Sequence, residues 1–403
     1  MTSSVRAVPL VETLARAQAM SGQLGISRVT DTTWLDRVGI PVFASIRPTA
    51  VPGSLCVNAG KGVHAVEAQV GAYMEAIEYA LAEYDANRVE IVKSTPRVIG
   101  LQPNVDWSFL DLCPTIGQKV DGCAPIACVE ADVLFSDERV LVPAELVFFP
   151  SPADVGQQVF GAGTNGLCSG NTVDEATLHG LAEVLERDVQ AFNFVEDQSE
   201  LVELDASVGD ARGLAERVEA AGMQAVLRYT SNAYDLPYFE GYILESSDDD
   251  PVPISYGAGL HLIRDIAAVR ALTEAAQSRL STIHGGRDDL IERVHYFTRF
   301  DRPHEKRALG DLRHRVNDPR RSIRYSTVPS SMNESSSIDA MLRELAERLR
   351  AQGITQVLRV VLSPPDSPLA VVRVIVPKLE SFKPPLTRVG PRLARALDRD
   401  ECP

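Results

Sequence analysis

The chain has 403 residues, with 40 Lys and Arg against 55 Asp and Glu, and therefore a formal net charge of -15. Its 45% hydrophobic and 24% charged residues are typical of a folded globular protein and exclude collagen, coiled coil and global disorder. The acidic balance argues against nucleic-acid binding, which needs a concentrated positive face. The stretch 261–324 departs from this balance, with 13 Arg and 1 Lys against 9 acidic residues, but its Arg residues alternate with acids, which favours a solvated helical surface over a phosphate-binding groove.

No segment predicts a membrane anchor or a secretion signal. The longest stretch without charge, 155–173, is rich in Gly and Asn, and Arg6 and Glu12 flank only a short apolar run near the start. The cysteines lack disulfide or paired zinc spacing, so Cys113, Cys123 and Cys128 are expected to be buried free thiols. We expect a cytoplasmic protein without a membrane or nucleic-acid partner, and a homo-oligomer is left open.

The predicted elements mix helices and strands in an irregular order. Helical patterns cover 11–22, 65–84, 175–192, 213–221, 265–282 and 340–352. Segments rich in β-branched residues predict strands over 40–48, 123–135, 238–246, 354–362 and 369–377. The Ser-rich stretch 330–339 predicts a loop that ends in a helix cap. The sequence therefore predicts an α+β fold, and it contains neither a dinucleotide-binding fingerprint nor a Walker-type phosphate loop.

The helix predicted over 65–84 carries two carboxylates on one side. Glu75 and Glu78 are three positions apart, which places them about 60° apart around the helix axis. Gly71 lies about one turn ahead of Glu75. This spacing is typical of a solvated helix face, and it also suits a metal or an acid–base site.

A second helix with an acidic side follows a long Gly-rich turn. Four of its polar side chains fall within about 80° of one another: Glu175, His179, Glu183 and Glu186. Thr172 and Glu175 have the spacing of a capping box, which is a structural explanation for that glutamate. Solvent exposure is the corresponding explanation for the other two glutamates.

Carboxylates of two helices beside a Gly-rich turn suit a hard cation, since Mg²⁺ takes oxygen ligands and shares them with substrate phosphates. The turn that ends near Asn171 can bring backbone N–H groups against an anion at the start of the helix. The residues alone therefore favour a site for Mg²⁺ and a triphosphate. They leave open which group accepts the phosphoryl group.

The first of these helices resembles the YcaO family, whose members use ATP to activate a peptide backbone amide. The family motif S-x3-E-x-x-E-R is matched by Gly71, Glu75 and Glu78, with Tyr79 in place of Arg.

The second helix resembles the same family. Its motif S-x6-E-x3-Q is matched by Cys168, Glu175 and His179, of which only the glutamate keeps the family's residue type. Asn171 and the acidic segment 183–188 resemble the nucleotide and metal segment of the family.

The resemblance implies a YcaO-type fold with mixed sheets flanked by helices and an ATP site between helices of the core. It implies a single catalytic domain over 1–403, a core over 50–260, and a C-terminal strand pair and tail over 330–403. The carboxylates implied for catalysis are Glu75, Glu78, Glu175 and Glu186. Those implied for Mg²⁺ are the same four and Glu183. The residues implied for nucleotide binding are Arg6, Thr13, Gly71, Cys168, Asn171, His179, Arg187, Gln277, Arg279 and Arg287, and the resemblance does not fix which Arg of 279–287 contacts phosphate.

The activity that the resemblance implies is ATP- and Mg²⁺-dependent phosphorylation of an amide oxygen in a ribosomal precursor peptide. Attack by sulfide then gives a thioamide, attack by a side chain gives an azoline, and attack by an N-terminal amine gives an amidine ring. The chain lacks the Pro-x-Pro-x-Pro tail of partner-dependent azoline-forming members. Its similarity to the stand-alone and TfuA-associated branches slightly favours thioamide formation with a TfuA-like partner.

Two other functions stay open at this point. The departures from the motifs at Tyr79, Cys168 and His179 are compatible with a non-catalytic, regulatory nucleotide-binding protein. An ATP-dependent amide ligase would use the same cofactors on a different acceptor.

Overall fold

The computed structural model describes residues 3–154, 156–206, 208–287, 302–383 and 386–400. Its helices, numbered α1 to α9 in chain order, are Leu10–Ser21, Ala65–Ala82, Pro96–Gly100, Val173–Val195, Asp210–Ala220, Arg264–His284, Arg302–Val316, Ile338–Ala351 and Pro391–Asp400. Its strands, numbered β1 to β16, are Arg28–Asp31, Val42–Ile46, Val57–Lys61, Val92–Ser94, Ile126–Val133, Arg139–Pro143, Leu167–Gly170, Glu200–Glu203, Gln224–Tyr229, Tyr238–Leu244, Ile254–Leu260, Ser322–Arg324, Leu358–Val361, Ala370–Ile375, Phe382–Lys383 and Leu386–Thr387.

The chain divides into two compact units, each assembled from separate segments. Unit 1 consists of Met1–Ala50, Leu55–Ala76 and Gln198–Ser336. Unit 2 consists of Val51–Ser54, Ile77–Asp197 and Ser337–Pro403. The division falls inside α2, so Glu75 belongs to unit 1 and Glu78 to unit 2. The single catalytic domain that the sequence suggests stays a prediction.

Unit 1 contains two sheets. The antiparallel sheet β1-β2-β3 leaves one edge of β3 free for side chains of other elements. The larger sheet has the order β11-β10-β9-β8-β12 and is antiparallel except for the pair β8 and β12. Its core lies against α6, whose Ala267, Ala271 and Leu272 pack in one buried cluster with Phe239 and Ile243 of β10. This packing fixes the helix that carries Gln277, Arg279 and the approach to Arg287.

Unit 2 is built on the antiparallel sheet β4-β5-β13-β14-β7, with β6 paired to β5. Helix α4 lies on β7 and β14, and its buried face includes Leu178, Leu181 and Leu185. The register of β7 and β14 places Cys168 opposite Val372 and Leu167 opposite Arg373. The predicted C-terminal strand pair is therefore present as β13 and β14.

The predicted α+β fold is confirmed, and each predicted helix and strand has a counterpart in the structure. Ser337 caps α8 by accepting a hydrogen bond from the Ala340 N–H at 3.2 Å, as the Ser-rich loop predicted. The five cysteines among the described residues are free thiols, but Cys123 is exposed, so the expectation that it is buried is wrong. It lies in a turn before β5, where the side chain faces solvent. Among the described helices, none combines the length and apolar content that crossing a bilayer requires.

Candidate functional site

In unit 1, two predicted site residues from different helices meet at one position of β3. The Glu75 carboxylate accepts a hydrogen bond from the Ala59 N–H at 2.8 Å. The Gln277 side-chain amide of α6 donates to the carbonyl oxygen of the same Ala59. Since both backbone groups lie at the free edge of β3, this edge brings together a predicted metal ligand and a predicted phosphate ligand.

Burial and nearby positive charges act in opposite directions on the pKa of Glu75. Burial raises the pKa of the Glu75 carboxyl above its ordinary value, while the charge of Arg287, the Ala59 N–H and the charge of Lys61 oppose that rise. The Lys61 ammonium is paired with the Glu274 carboxylate at 2.9 Å. A cation near Glu75 would favour its ionised form in the same way.

In unit 2, the second carboxylate of α2 contacts the strand that leads into α4. The Glu78 carboxylate accepts hydrogen bonds from the Ser169 N–H at 2.8 Å and from the Ser169 hydroxyl at 2.6 Å. Glu78 therefore lies against β7, at the residue that follows the predicted nucleotide ligand Cys168.

The start of α4 holds a buried carboxylate and a buried amide. Thr172 caps the helix by accepting from the Glu175 N–H at 3.1 Å, so this half of the predicted capping box is confirmed. The Asn171 side-chain N–H donates to both Glu175 carboxylate oxygens, at 3.1 and 3.2 Å. Glu175 is fully buried, at 0% exposure, so its carboxylate is held against the Asn171 amide away from solvent.

Asn171 provides a test of whether Mg²⁺ fits these residues. Its amide oxygen is buried and has no hydrogen-bond partner among the described residues. Amide and carboxylate oxygens are the ligands that Mg²⁺ prefers, and the ion usually keeps waters and shares phosphate oxygens. The orphaned Asn171 amide oxygen and the neighbouring Glu175 carboxylate therefore have the donor chemistry that fits Mg²⁺, although no three His, Cys, Asp or Glu side chains in the described ranges form a metal-binding group by themselves.

The remaining predicted residues on α4, and Cys168 on β7, each contact a neighbouring group. The Cys168 thiol lies 3.4 Å from the Glu183 carboxylate. The His179 Nδ1 lies 3.3 Å from the Ser169 carbonyl oxygen. Glu186 is only 3% exposed, and its carboxylate lies 3.1 Å from the Arg187 guanidinium. Burial of Glu186 argues against the simple explanation that it faces solvent.

Arg373 of β14 is a buried cation beside the Gly-rich turn. Its guanidinium donates to the carbonyl oxygens of Val147 at 3.0 Å and Asn165 at 2.9 Å. Burial lowers the pKa of Arg373 to about 10, and the charge of Glu183 opposes this shift. The residue therefore fixes the end of the turn and balances part of the acidic charge of unit 2.

Three other predicted nucleotide ligands lie in unit 1. The Thr13 hydroxyl is buried and donates to the Pro9 carbonyl oxygen at 3.4 Å. Gly71 lies close to Gly60, since a Cβ added to Gly71 would lie 3.2 Å from the Gly60 Cα. Arg6 is partly buried. Their roles toward a nucleotide stay predictions.

The structure distinguishes two of the predicted phosphate ligands, Arg279 in α6 and Arg287 shortly after the helix. The Arg279 guanidinium is buried, bonds the Asp36 carboxylate at 2.8 and 3.2 Å and the Glu245 carboxylate at 2.6 Å, and donates to the Val252 carbonyl. Arg287 is partly exposed, and its charge acts on Glu75. This arrangement favours Arg287 as the residue that contacts phosphate.

The sequence analysis did not single out two residues that the site uses. Ser169 binds the Glu78 carboxylate. The motif has Ser at the position of Cys168, and the hydroxyl of the next residue was the signal that could have identified Ser169. Lys61 is the cation nearest in sequence to Ala59, and only its pairing with Glu274 reveals its place.

The chain is similar to known proteins over most of its length. The model of the family described as YcaO cyclodehydratase, ATP- and Mg²⁺-binding, matches residues 59–380. An uncharacterized protein of Methanothermobacter thermautotrophicus is 35% identical over 97% of this chain and 99% of its own length. A Rhizobium leguminosarum bv. trifolii protein, described as lying in the tfuA 3' region, is 34% identical over 93% of this chain and 88% of its own.

A solved structure has the same fold. The YcaO protein from Methanopyrus kandleri, bound with AMPPCP and Mg²⁺, superposes with a TM-score of 0.72 at 24% identity, over 96% of each chain. The predicted ATP and Mg²⁺ are confirmed at the level of the family, and ATP-dependent peptide modification is the activity that the family supports. The family description does not distinguish thioamide, azoline and amidine products.

Proposed function

Because the chain belongs to the YcaO family, we propose that it phosphorylates a backbone amide oxygen in a ribosomally made peptide and passes the activated amide to a nucleophile. The γ-phosphoryl group of ATP forms a bond to the amide oxygen while its bond to the bridging oxygen breaks and ADP leaves; the nucleophile then bonds to the amide carbon, and phosphate leaves with the amide oxygen. The observation that carries the proposal is the buried acidic side of α4, where Glu175 lies beside the amide of Asn171 and Glu186, about three turns further along, is also buried.

Both units contain residues with a proposed role. In unit 2, the carboxylates of Glu78, Glu175, Glu183 and Glu186 would hold Mg²⁺, and Ser169 orients the first of them. In unit 1, Ala59 orients Glu75 and Gln277, and the family resemblance implies a metal contact for Glu75 and phosphate contacts for Gln277 and Arg287. When bound, Mg²⁺ offsets the charge that develops on the transferred phosphoryl group. The protein itself needs only to hold the reactants in line and to exclude water.

We infer that the nucleophile is sulfide and the product a thioamide, with a TfuA-like protein delivering the sulfur. The relative that is 34% identical and lies in a tfuA 3' region supports this choice of partner. A side-chain nucleophile would give an azoline, and an N-terminal amine would give an amidine ring.

Mass spectrometry of the peptide tests both levels of the proposal. The protein is incubated with ATP, Mg²⁺, sulfide and the short peptides encoded beside its gene, with and without a TfuA-like protein. Thioamide formation replaces one oxygen by sulfur and depends on sulfide, whereas ring closure removes one water. Nucleotide binding without ADP release or a mass change for any peptide would instead support a regulatory protein. A gain of an amine or amino acid minus water would identify an amide ligase.

Two neutral variants test the carboxylates. Glu75→Gln and Glu186→Gln keep the size of the side chain and remove its charge. We expect at least about 100-fold loss of product formation, since residues that only orient metal ligands already cost about 10–100-fold. The matched control is Glu216→Gln, a change on the exposed face of α5 that should leave activity unchanged. Near-normal turnover of both test variants would contradict the metal assignment.

A further inference from the structure

A buried network fixes the start of the C-terminal helix α9. The Glu380 carboxylate is 1% exposed and accepts hydrogen bonds from the N–H groups of Gly390 at 2.6 Å, Arg392 at 3.0 Å and Leu393 at 2.9 Å. The first N–H groups of a helix have no partner inside the helix, and a carboxylate there also complements the helix dipole. Glu380 therefore holds α9 by its N-terminus.

The same network reaches the back of α4. One oxygen of the Asp188 carboxylate accepts from the Glu380 N–H at 2.6 Å and from the Arg392 guanidinium at 2.7 Å. The Arg392 guanidinium also lies 5.1 Å from the ring centroid of Phe192, one turn further along α4. Helix α9 is thus attached to two successive turns of α4.

The packing around Glu380 leaves little room for movement. An ideal Cβ on Gly390 would lie 2.6 Å from the Cys113 sulfur and 2.8 Å from a Glu380 carboxylate oxygen. Real Cβ atoms do not approach other atoms so closely, so a side chain at position 390 would displace Cys113 or Glu380.

Asp188 lies on the side of α4 opposite to Glu186. Two residues correspond to a rotation of about 200° around a helix axis, so the network grips the helix from behind its acidic side. Mg²⁺ requires near-ideal octahedral ligand geometry, and functional side chains must be held within about 0.5 Å. A small rotation of α4 would move Glu183 and Glu186 together.

We propose that Asp188, Glu380 and Arg392 are positioning residues that hold the acidic side of α4 in its Mg²⁺- and nucleotide-binding geometry. The C-terminal helix then sets nucleotide affinity without touching the nucleotide. This inference rests on the proposed function, because it requires the nucleotide to bind at α4.

Calorimetric titration of the full chain with Mg²⁺ and a non-hydrolysable ATP analogue tests the proposal. Asp188→Asn keeps the shape of the side chain and removes its charge, so we expect an increase in Kd of about tenfold or more. The titration is run well below the unfolding temperature, where circular dichroism shows the variant to be folded. Arg392→Lys keeps a positive charge and should lose less affinity than Arg392→Gln. Arg395→Gln, an exposed change on the same helix, is the matched control and should keep the wild-type Kd.

A lower unfolding temperature of Asp188→Asn with a Kd within about twofold of wild type would overturn the inference, because the network would then be purely structural. If Asp188→Asn does not fold, Arg392→Gln decides by the same criterion, since it leaves the bond between Asp188 and the Glu380 N–H in place. Failure of the wild-type protein itself to bind the analogue is a different result, and it would overturn the proposed function.

Discussion

Replacing Gly60 with Ala is expected to push α2 away from β3. An ideal Cβ at Gly60 would lie 2.0 Å from the Ala72 nitrogen and 2.1 Å from the Ala68 carbonyl oxygen. Ordinary contacts of carbon atoms are about 3.5–4.0 Å, so the strand and the helix must separate by about 1.5 Å. Overpacking usually costs about 1–3 kcal/mol. Because both contacted atoms belong to the helix backbone, we expect the upper end of that range.

The same displacement should weaken nucleotide binding, since Ala59 precedes Gly60 and orients both Glu75 and Gln277. Urea unfolding gives the loss of stability, and calorimetry with Mg²⁺ and an ATP analogue gives the loss of affinity. Gly71→Ala is the control for stability alone: its Cβ would lie 3.2 Å from the Gly60 Cα, and the gain in helix propensity of about 1 kcal/mol offsets this tight contact. A Gly60→Ala variant as stable as wild type would refute the close approach of the two elements.

Three further predictions concern thiol reactivity, a helix cap and the two Arg candidates. Burial raises the pKa of the Cys128 thiol to about 12, so iodoacetamide near pH 8 should label the exposed Cys123 first. Labelling of Cys128 should increase as the pH rises toward that pKa. Peptide mass spectrometry of the native protein measures the labelling of both thiols, and equal labelling would contradict the burial of Cys128. Thr172→Ala removes the cap of α4 and should cost about 1 kcal/mol in the free energy of unfolding, while Thr172→Ser should keep most of it. Arg279→Gln should destabilise the fold by about 3–5 kcal/mol, because the Asp36 carboxylate loses its ion pair with Arg279 and the buried Glu245 carboxylate keeps only Arg37 as an ion-pair partner among the described residues. Arg287→Gln should keep stability and reduce affinity for the ATP analogue, and the reverse pattern in unfolding and calorimetry would exchange the two roles.

The helices and their acidic sides could be predicted because they depend on local periodicity. The positions of Glu75 and Glu78 on one side of α2, and of Glu175, Glu183 and Glu186 on one side of α4, follow from about 100° per residue. Burial of Glu175 and Glu186 could not be predicted in this way, because it depends on which element covers each helix face.

The strands that position the site were harder to predict. Strand β3 contains Asn58 and Gly60, and β7 consists of Leu167–Gly170, so both combine short length with residues that disfavour strands. Strand β7 has a distant partner, because it pairs with β14, which follows it by about two hundred residues in the chain. Strand β3 pairs with the neighbouring β2, but its Ala59 contacts Gln277, which lies 218 residues further along. A local pattern contains no information on contacts between such distant segments, and the roles of Ser169 and Ala59 depend on them.

Arg279 shows how the same limit affects a charged residue. Its place on α6 is helical and polar, which suits both a phosphate ligand and a buried ion pair, and the sequence places it next to candidates of the same type. The distinction lies in Asp36 and Glu245, which come from other parts of unit 1 and use its donors. Asp188 follows the same logic, because its partners Glu380 and Arg392 lie about two hundred residues further along the chain. Residues of both kinds would show the same periodicity on a helix, so measurement of nucleotide affinity in the folded variants is what separates a ligand from a residue that holds the ligand in place.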